Sequence, residues 1–251
     1  MPMKNFYLGI KFSFSYFSIL PMSFKESDDL SKKEVLNVML LFLPFVGLVL
    51  GLGTVVLFSF LSHLGWYGAM FSAIFYMILY GFLHTEAIID VFDAIYASHS
   101  GKDAYAIIKE PTVGAVGVLY GVSFLLLKVA GIVLLFSHDI LAEFLAIVII
   151  SRLSLLTLLV LHDFKSSFLE QLKESLDLWS LIMLFIVLTI LGSFLTPYFV
   201  ILLFIGIILG FFISIFFTKK LKFINGDVLG VTLESVEILL FLVVALFMLE
   251  G

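Results

Sequence analysis

The chain has 251 residues, 62% of them hydrophobic and 13% charged, and its mean hydropathy is +1.22. That composition excludes a water-soluble domain and an intrinsically disordered chain, and the absence of cysteine removes disulfide scaffolds, cysteine-ligated zinc, iron–sulfur clusters and thiol nucleophiles. A net charge of −5, with 14 basic residues spread along the chain, offers no basic domain for nucleic acid.

In chain order, Met1-Pro2-Met3-Lys4-Asn5 leads into a stretch broken by Lys11 with no small-residue cleavage site, so a removed signal peptide is not expected. Residues 5–21, rich in Phe and Tyr but interrupted by Lys11, three serines and Pro21, are assigned to an interfacial or re-entrant segment, with an additional span as the lesser alternative. A membrane-crossing helix needs roughly 20 mostly apolar residues. Runs of that kind fall at 38–61, 65–83, 113–136, 140–161, 178–195, 197–217 and 228–249. The expected fold is therefore all-α: a polytopic integral membrane protein, one membrane domain over 1–251, with about seven transmembrane helices and the N-terminal interfacial segment.

Twelve of the 14 basic residues lie in the N-terminal region and in the second, fourth and sixth connections; none lies in the odd connections, and Lys128 and Arg152 fall inside spans. By the positive-inside rule the N-terminus and the even connections face the cytoplasm. The small-residue spacings Gly47-x-x-x-Gly51, Gly117-x-x-x-Gly121 and Gly206-x-x-x-Gly210 allow close helix approach and identify no function.

The second connection, about 84–112, carries Glu86, Asp90 and Asp93 at i, i+4 and i+7, within about 60° of one another on a helix. A solvated acidic face is the plain alternative. Here the flanking residues are apolar, and three like charges on a narrow stripe repel one another, which asks for a hard divalent cation with oxygen ligands. A second acidic set begins at the Asn225-Gly226-Asp227 turn and continues with Glu234 and Glu237, which lie at about −20° and −80° from Asp227 and so can share its face. Intramembrane acids point to function by default; their structural alternative is pairing with Lys128 or Arg152. Lys102, Lys109, Lys219, Lys220 and Lys222 flank the acids on the same side. That mixture suits a divalent-metal phosphate site, although positive-inside placement alone would put lysines there. Gly114 and Gly117 open the third span, where free backbone N–H groups can receive a phosphate. His84 would join the acids only if the chain bends near Thr85.

The run His84-Thr85-Glu86-Ala87-Ile88-Ile89-Asp90-Val91-Phe92-Asp93-Ala94 resembles the His-Leu-Asp-Gly-Leu-Ala-Asp-x-x-Asp-Gly signature of the cobalamin-5'-phosphate synthase family, also called adenosylcobinamide-GDP ribazoletransferases. Ile108-Lys109-Glu110-x-x-x-Gly114-x-x-Gly117 is similar to that family's Met-Lys-Asp-Ser-Arg-x-Gly-x-x-Gly. Asn225-Gly226-Asp227-x-Leu229-Gly230-x-x-x-Glu234-x-x-Glu237 resembles its Gly-Asp-x-Leu-Gly-Ala-x-x-Glu-x-x-Glu, and Ser151-Arg152 stands where the family has a Ser/Ala-Arg pair. Glu86 replaces an aspartate, Ala87 and Ala94 replace glycines, and Thr112 replaces an arginine, a lost bidentate phosphate donor.

The resemblance implies a Mg²⁺-dependent transferase in the cytoplasmic (inner) membrane of a prokaryote. It would join adenosylcobinamide-GDP to α-ribazole or α-ribazole 5'-phosphate with release of GMP; it leaves room for a homo-oligomer. Expected roles are Glu86, Asp90 and Asp93 for metal; Asp90, Asp93, Asp227 and His84 for catalysis; and Lys102, Lys109, Glu110, Gly114, Arg152, Asn225, Glu234 and Glu237 for substrate. The runner-up is a CDP-alcohol phosphotransferase-like lipid enzyme, whose longer aspartate pattern is missing. A cation-coupled transporter, the third alternative, predicts carboxylates at mid-membrane and an internal repeat; no repeat is found.

Overall fold

The computed structural model describes residues 3–110 and 112–249; Met1, Pro2, Pro111, Glu250 and Gly251 lie outside the described residues. No strand occurs among them. The chain begins with α1 (Met3–Phe17), α2 (Lys33–Leu41), α3 (Leu43–Leu61), α4 (Trp66–Leu79), α5 (Leu83–Ser98) and the short α6 (Ala104–Ile108). It continues with α7 (Ala115–Ser137), α8 (Leu141–Leu161), α9 (Ser167–Ser175), α10 (Leu178–Leu195), α11 (Phe199–Leu221) and α12 (Gly226–Leu249).

Six helices are long and apolar enough to cross a bilayer, and α4 with α5 forms a seventh, broken unit bent by 79°. The span expected at 38–61 is divided. Pro44 enters at the start of α3, and its missing N–H removes one bond of a continuous ladder, so α2 ends and α3 begins on either side of Phe42. Helix α1, 15 residues long, is not among the helices long and apolar enough to cross: it packs along α2, and the chain beyond it ties to α4 through Ile19 N–H donating to Leu79 O at 2.9 Å.

The α4–α5 bend has a local cause. Gly81 and Phe82 both take positive φ, +66° and +53°. The Phe82 N–H donates to Met77 O at 3.2 Å and the Gly81 N–H to Ile78 O at 2.9 Å, the paired bonds of a Schellman ending. The bend thus sits three to four residues before Thr85, the place where a bend would have let His84 join the acids, and His84 and Glu86 share one continuous helix.

Helices α8 and α12 are the most enclosed of the spans and the other spans pack around them. Gly210 of α11 abuts Ser154 of α8, and Gly206 abuts Ile150, so the small-residue faces are where backbones approach most closely. Alternation of the spans brings the connections 80–114, 162–177 and 222–225 to the end of the bundle where α1 and α2 lie. Hydrogen bonds tie them there: Lys165 N–H to Ile224 O at 3.0 Å, Gln171 Nε2 to Ser31 O at 3.2 Å and Asp177 N–H to Asn37 Oδ1 at 2.9 Å.

Candidate active site

Helix α5 runs between the starts of α7 and α12 and presents different residues to each. Its buried stripe includes His84, Ala87, Ile88, Val91 and Ala94. Gly230 of α12 lies so close to α5 that a Cβ there would stand 2.7 Å from the Ala87 Cβ, so the alanine and the glycine together allow the two helices to meet. This contact brings the α5 acids to Asp227. The charge of Asp227 bears on Asp90 together with those of Glu86 and Asp93, and the charge of Glu86 bears on Asp227. Asp227 sits on the first turn of α12. Asn225 fixes it there, donating from Nδ2 to Asp227 Oδ2 at 2.7 Å while its Oδ1 accepts the Val228 N–H at 3.1 Å, as a helix N-cap does.

Asp93, by contrast, is already engaged. Its Oδ2 accepts the Gly114 N–H at 2.5 Å and its Oδ1 the Gly117 N–H at 2.7 Å. A carboxylate from α5 therefore caps the N-terminus of α7, satisfying two donors that the helix itself leaves free. The glycines make room for it: a Cβ on Gly117 would stand 2.6 Å from the Asp93 Cγ. The anion received at this helix start is a side chain of the protein, and the carboxylates left without such partners are Glu86 and Asp90. No hydrogen bond or ion pair among the described residues involves either one.

Among the described residues no three His, Asp or Glu side chains are drawn together as a ready metal cluster. The donor chemistry still suits a hard divalent cation. Glu86, Asp90 and Asp227 offer oxygen ligands, lie within mutual electrostatic reach and meet no basic partner among the described ion pairs. They would be the residues to hold it.

His84 is 8% exposed and stacks on Tyr80, with ring centroids 5.9 Å apart and planes at 28°. It faces α12 rather than the side of Glu86. Lys102 and Lys109 are exposed, the latter with Nζ 4.2 Å from the Tyr105 ring centroid. Lys165 Nζ lies 3.9 Å from the same ring, and the Tyr105 hydroxyl donates to Lys165 O at 3.2 Å. The sequence did not single out Lys165 or Tyr105: they are 60 residues apart, and no periodicity links them. Since Lys165 N–H bonds Ile224 O, this cation pair adjoins the turn that carries Asn225 and Asp227. Glu110 is exposed and accepts from Thr112 Oγ1 at 3.4 Å.

Arg152, Glu234 and Glu237 belong to a different place. With Lys128, Tyr76 and Tyr80 they form a buried network inside the span bundle. Lys128 Nζ lies 2.7 Å from Glu234 Oε2 and 2.8 Å from Glu237 Oε2. Arg152 pairs with Glu237 Oε1, which also accepts from Ser151 Oγ at 2.9 Å, and Arg152 donates to the Tyr76 hydroxyl at 3.1 Å. Two cations and two anions balance there, joining α4, α7, α8 and α12. Glu234 and Glu237 do follow Asp227 along α12, but their charges are taken up in pairing.

A family model described as cobalamin-5-phosphate synthase matches residues 9–245. A Clostridium perfringens protein (strain SM101) named adenosylcobinamide-GDP ribazoletransferase is 30% identical over 246 residues, covering 94% of this chain and 96% of its own. A Brevibacillus brevis protein of the same name is 28% identical over 91% of this chain and 94% of its own. A third, from Chlorobium chlorochromatii, is 30% identical over 54% of this chain and 52% of its own. No solved structure matches. The chain belongs to the cobalamin-5-phosphate synthase family.

Proposed function

We propose that this member of the cobalamin-5-phosphate synthase family is an adenosylcobinamide-GDP ribazoletransferase, working at the cytoplasmic face of a prokaryotic inner membrane with Mg²⁺. The donor is adenosylcobinamide-GDP and the acceptor is α-ribazole or its 5'-phosphate. A ribose hydroxyl of the acceptor forms a new P–O bond to the phosphorus that carries cobinamide; the P–O bond to GMP breaks, and GMP leaves. The observation that carries this reading is the close contact of α5 with α12 at Ala87 and Gly230, which sets Glu86 and Asp90 and the distant Asp227 on neighbouring helix turns at the end of the bundle that bears the lysines.

Glu86, Asp90 and Asp227 would hold Mg²⁺, which when bound supplies neutralisation of the diphosphate and polarisation of its oxygens. Lys109 and Lys165, sharing the Tyr105 ring, and Lys102 beyond them offset the remaining negative charge. Asp227 or His84 takes the proton from the attacking hydroxyl. Asp93 serves by holding α7 against α5, which fixes the distance between the acidic stripe and the third span. Arg152, Glu234 and Glu237 act at a distance, as the buried lock that sets the position of α12.

The test is release of GMP by the purified protein in lipid nanodiscs supplied with both substrates. One GMP per joined product is expected, stopped by EDTA and restored by Mg²⁺. No GMP release from intact, folded protein would overturn the transferase assignment, and turnover undiminished by EDTA would remove the metal.

A further inference from the structure

Beside Asp227, on the side of α5 away from Glu86, lies a cavity of about 150 Å³. Its floor is formed by Leu40, Leu159, Leu172 and Leu229, all buried, from α2, α8, α9 and α12. Its rim is polar: Tyr16, His84 and Asp227. Tyr16 and Gly226 are exposed and Asp227 is half-buried, so the mouth opens beside Asp227 and the apolar part lies within.

His84 supplies a second, independent sign. It is 8% exposed, yet among the described residues no hydrogen bond is made to its ring. Its ring nitrogens are therefore free to meet a ligand that enters the cavity they line. Its Nδ1 lies 3.4 Å from where a Cβ on Gly230 would stand, so the bare glycine surface leaves the ring edge open to the cavity.

We propose that this cavity takes the aromatic base of the acceptor nucleoside, with its sugar at the mouth beside Asp227; the assignment rests on the transferase reading above. An apolar cavity of about 150 Å³ holds a benzene-sized ring. It suits the benzo ring of a benzimidazole and is too small for a corrin macrocycle. The ring enters between leucines, its unsubstituted nitrogen accepts from His84 or the Tyr16 hydroxyl, and the ribose carried by the other ring nitrogen is left at Asp227. A lipid acyl chain would fill the floor but leave His84 and Tyr16 unused. Helix α1, which contributes Tyr16, thus becomes a wall of the acceptor site.

Free benzimidazole is the probe. In the nanodisc-embedded protein it should bind by calorimetry, compete with α-ribazole and not compete with the GDP-linked donor. Leu172→Phe, which fills the floor, should weaken benzimidazole binding and raise the acceptor KM at least tenfold while the donor KM changes less than twofold. Should that variant fail to fold, Leu172→Ala removes a wall of the cavity, and benzimidazole should bind at least fivefold more weakly. Benzimidazole binding indifferent to Leu172, or both KM values rising alike, overturns the assignment. So does octanoate binding that Leu172→Phe blocks where benzimidazole gives no heat. Calorimetry reads the cavity without turnover, so a protein that releases no GMP but binds benzimidazole at Leu172 fails only the transferase reading.

Discussion

Asparagine at position 90 lowers transfer more than about a hundredfold, since loss of a metal ligand should exceed the 10- to 100-fold typical of an outer-shell partner, yet it leaves the protein folded and slightly more stable. The two halves of this expectation have one cause. The Asp90 carboxylate makes no hydrogen bond among the described residues, and three other carboxylates bear on it, so in the empty protein its charge is a source of repulsion. Asparagine keeps the shape and removes the charge. Thermal unfolding should move up while GMP release collapses. Unchanged turnover, or lost folding in place of lost turnover, would contradict the role given to this residue.

Methionine in place of Lys128 has the opposite profile. Lys128 is fully buried and serves both Glu234 and Glu237; without it two buried carboxylates share Arg152 alone. Breaking a buried pair by removing one partner costs about 3–5 kcal/mol, so the variant should unfold at markedly lower denaturant or fail to accumulate. Removing both charges, Lys128→Met with Glu234→Leu, should recover more than half of that loss, because hydrophobic replacement of a whole pair is close to neutral. The double variant also distinguishes a lock from a relay. A lock predicts that GMP release returns with stability; a stable but inactive double variant would give these charges a part in the reaction.

The fold was largely legible because bilayer thickness imposes a length on every span. Seven apolar runs and the lysine partition lead to the bundle, and their boundaries lie within a few residues of the helices except where backbone chemistry intervenes. Pro44 divides the first run, and the left-handed pair Gly81–Phe82 ends α4 early. The site was legible in part. Helical periodicity placed Glu86, Asp90 and Asp93 on one stripe, but it carries no information about what each meets, and the two α7 glycines take up Asp93. Periodicity likewise aligned Glu234 and Glu237 with Asp227, while depth in the bundle and the cations on α7 and α8 divert them into the buried network, the pairing first considered as their structural alternative. Tyr105, Lys165 and Tyr16 left no signature, since each is brought in by packing between distant segments.

The central claim is that carboxylates from α5 and from the start of α12 hold one divalent cation together. Mn²⁺ titration of the nanodisc-embedded protein, followed by electron paramagnetic resonance, tests it most directly in the unchanged protein, Asp90→Asn and Asp227→Asn. One tight Mn²⁺ per chain, weakened at least tenfold by either substitution, is the predicted result. Binding equal in all three proteins, or none in the unchanged protein even with the GDP-linked donor present, would contradict it.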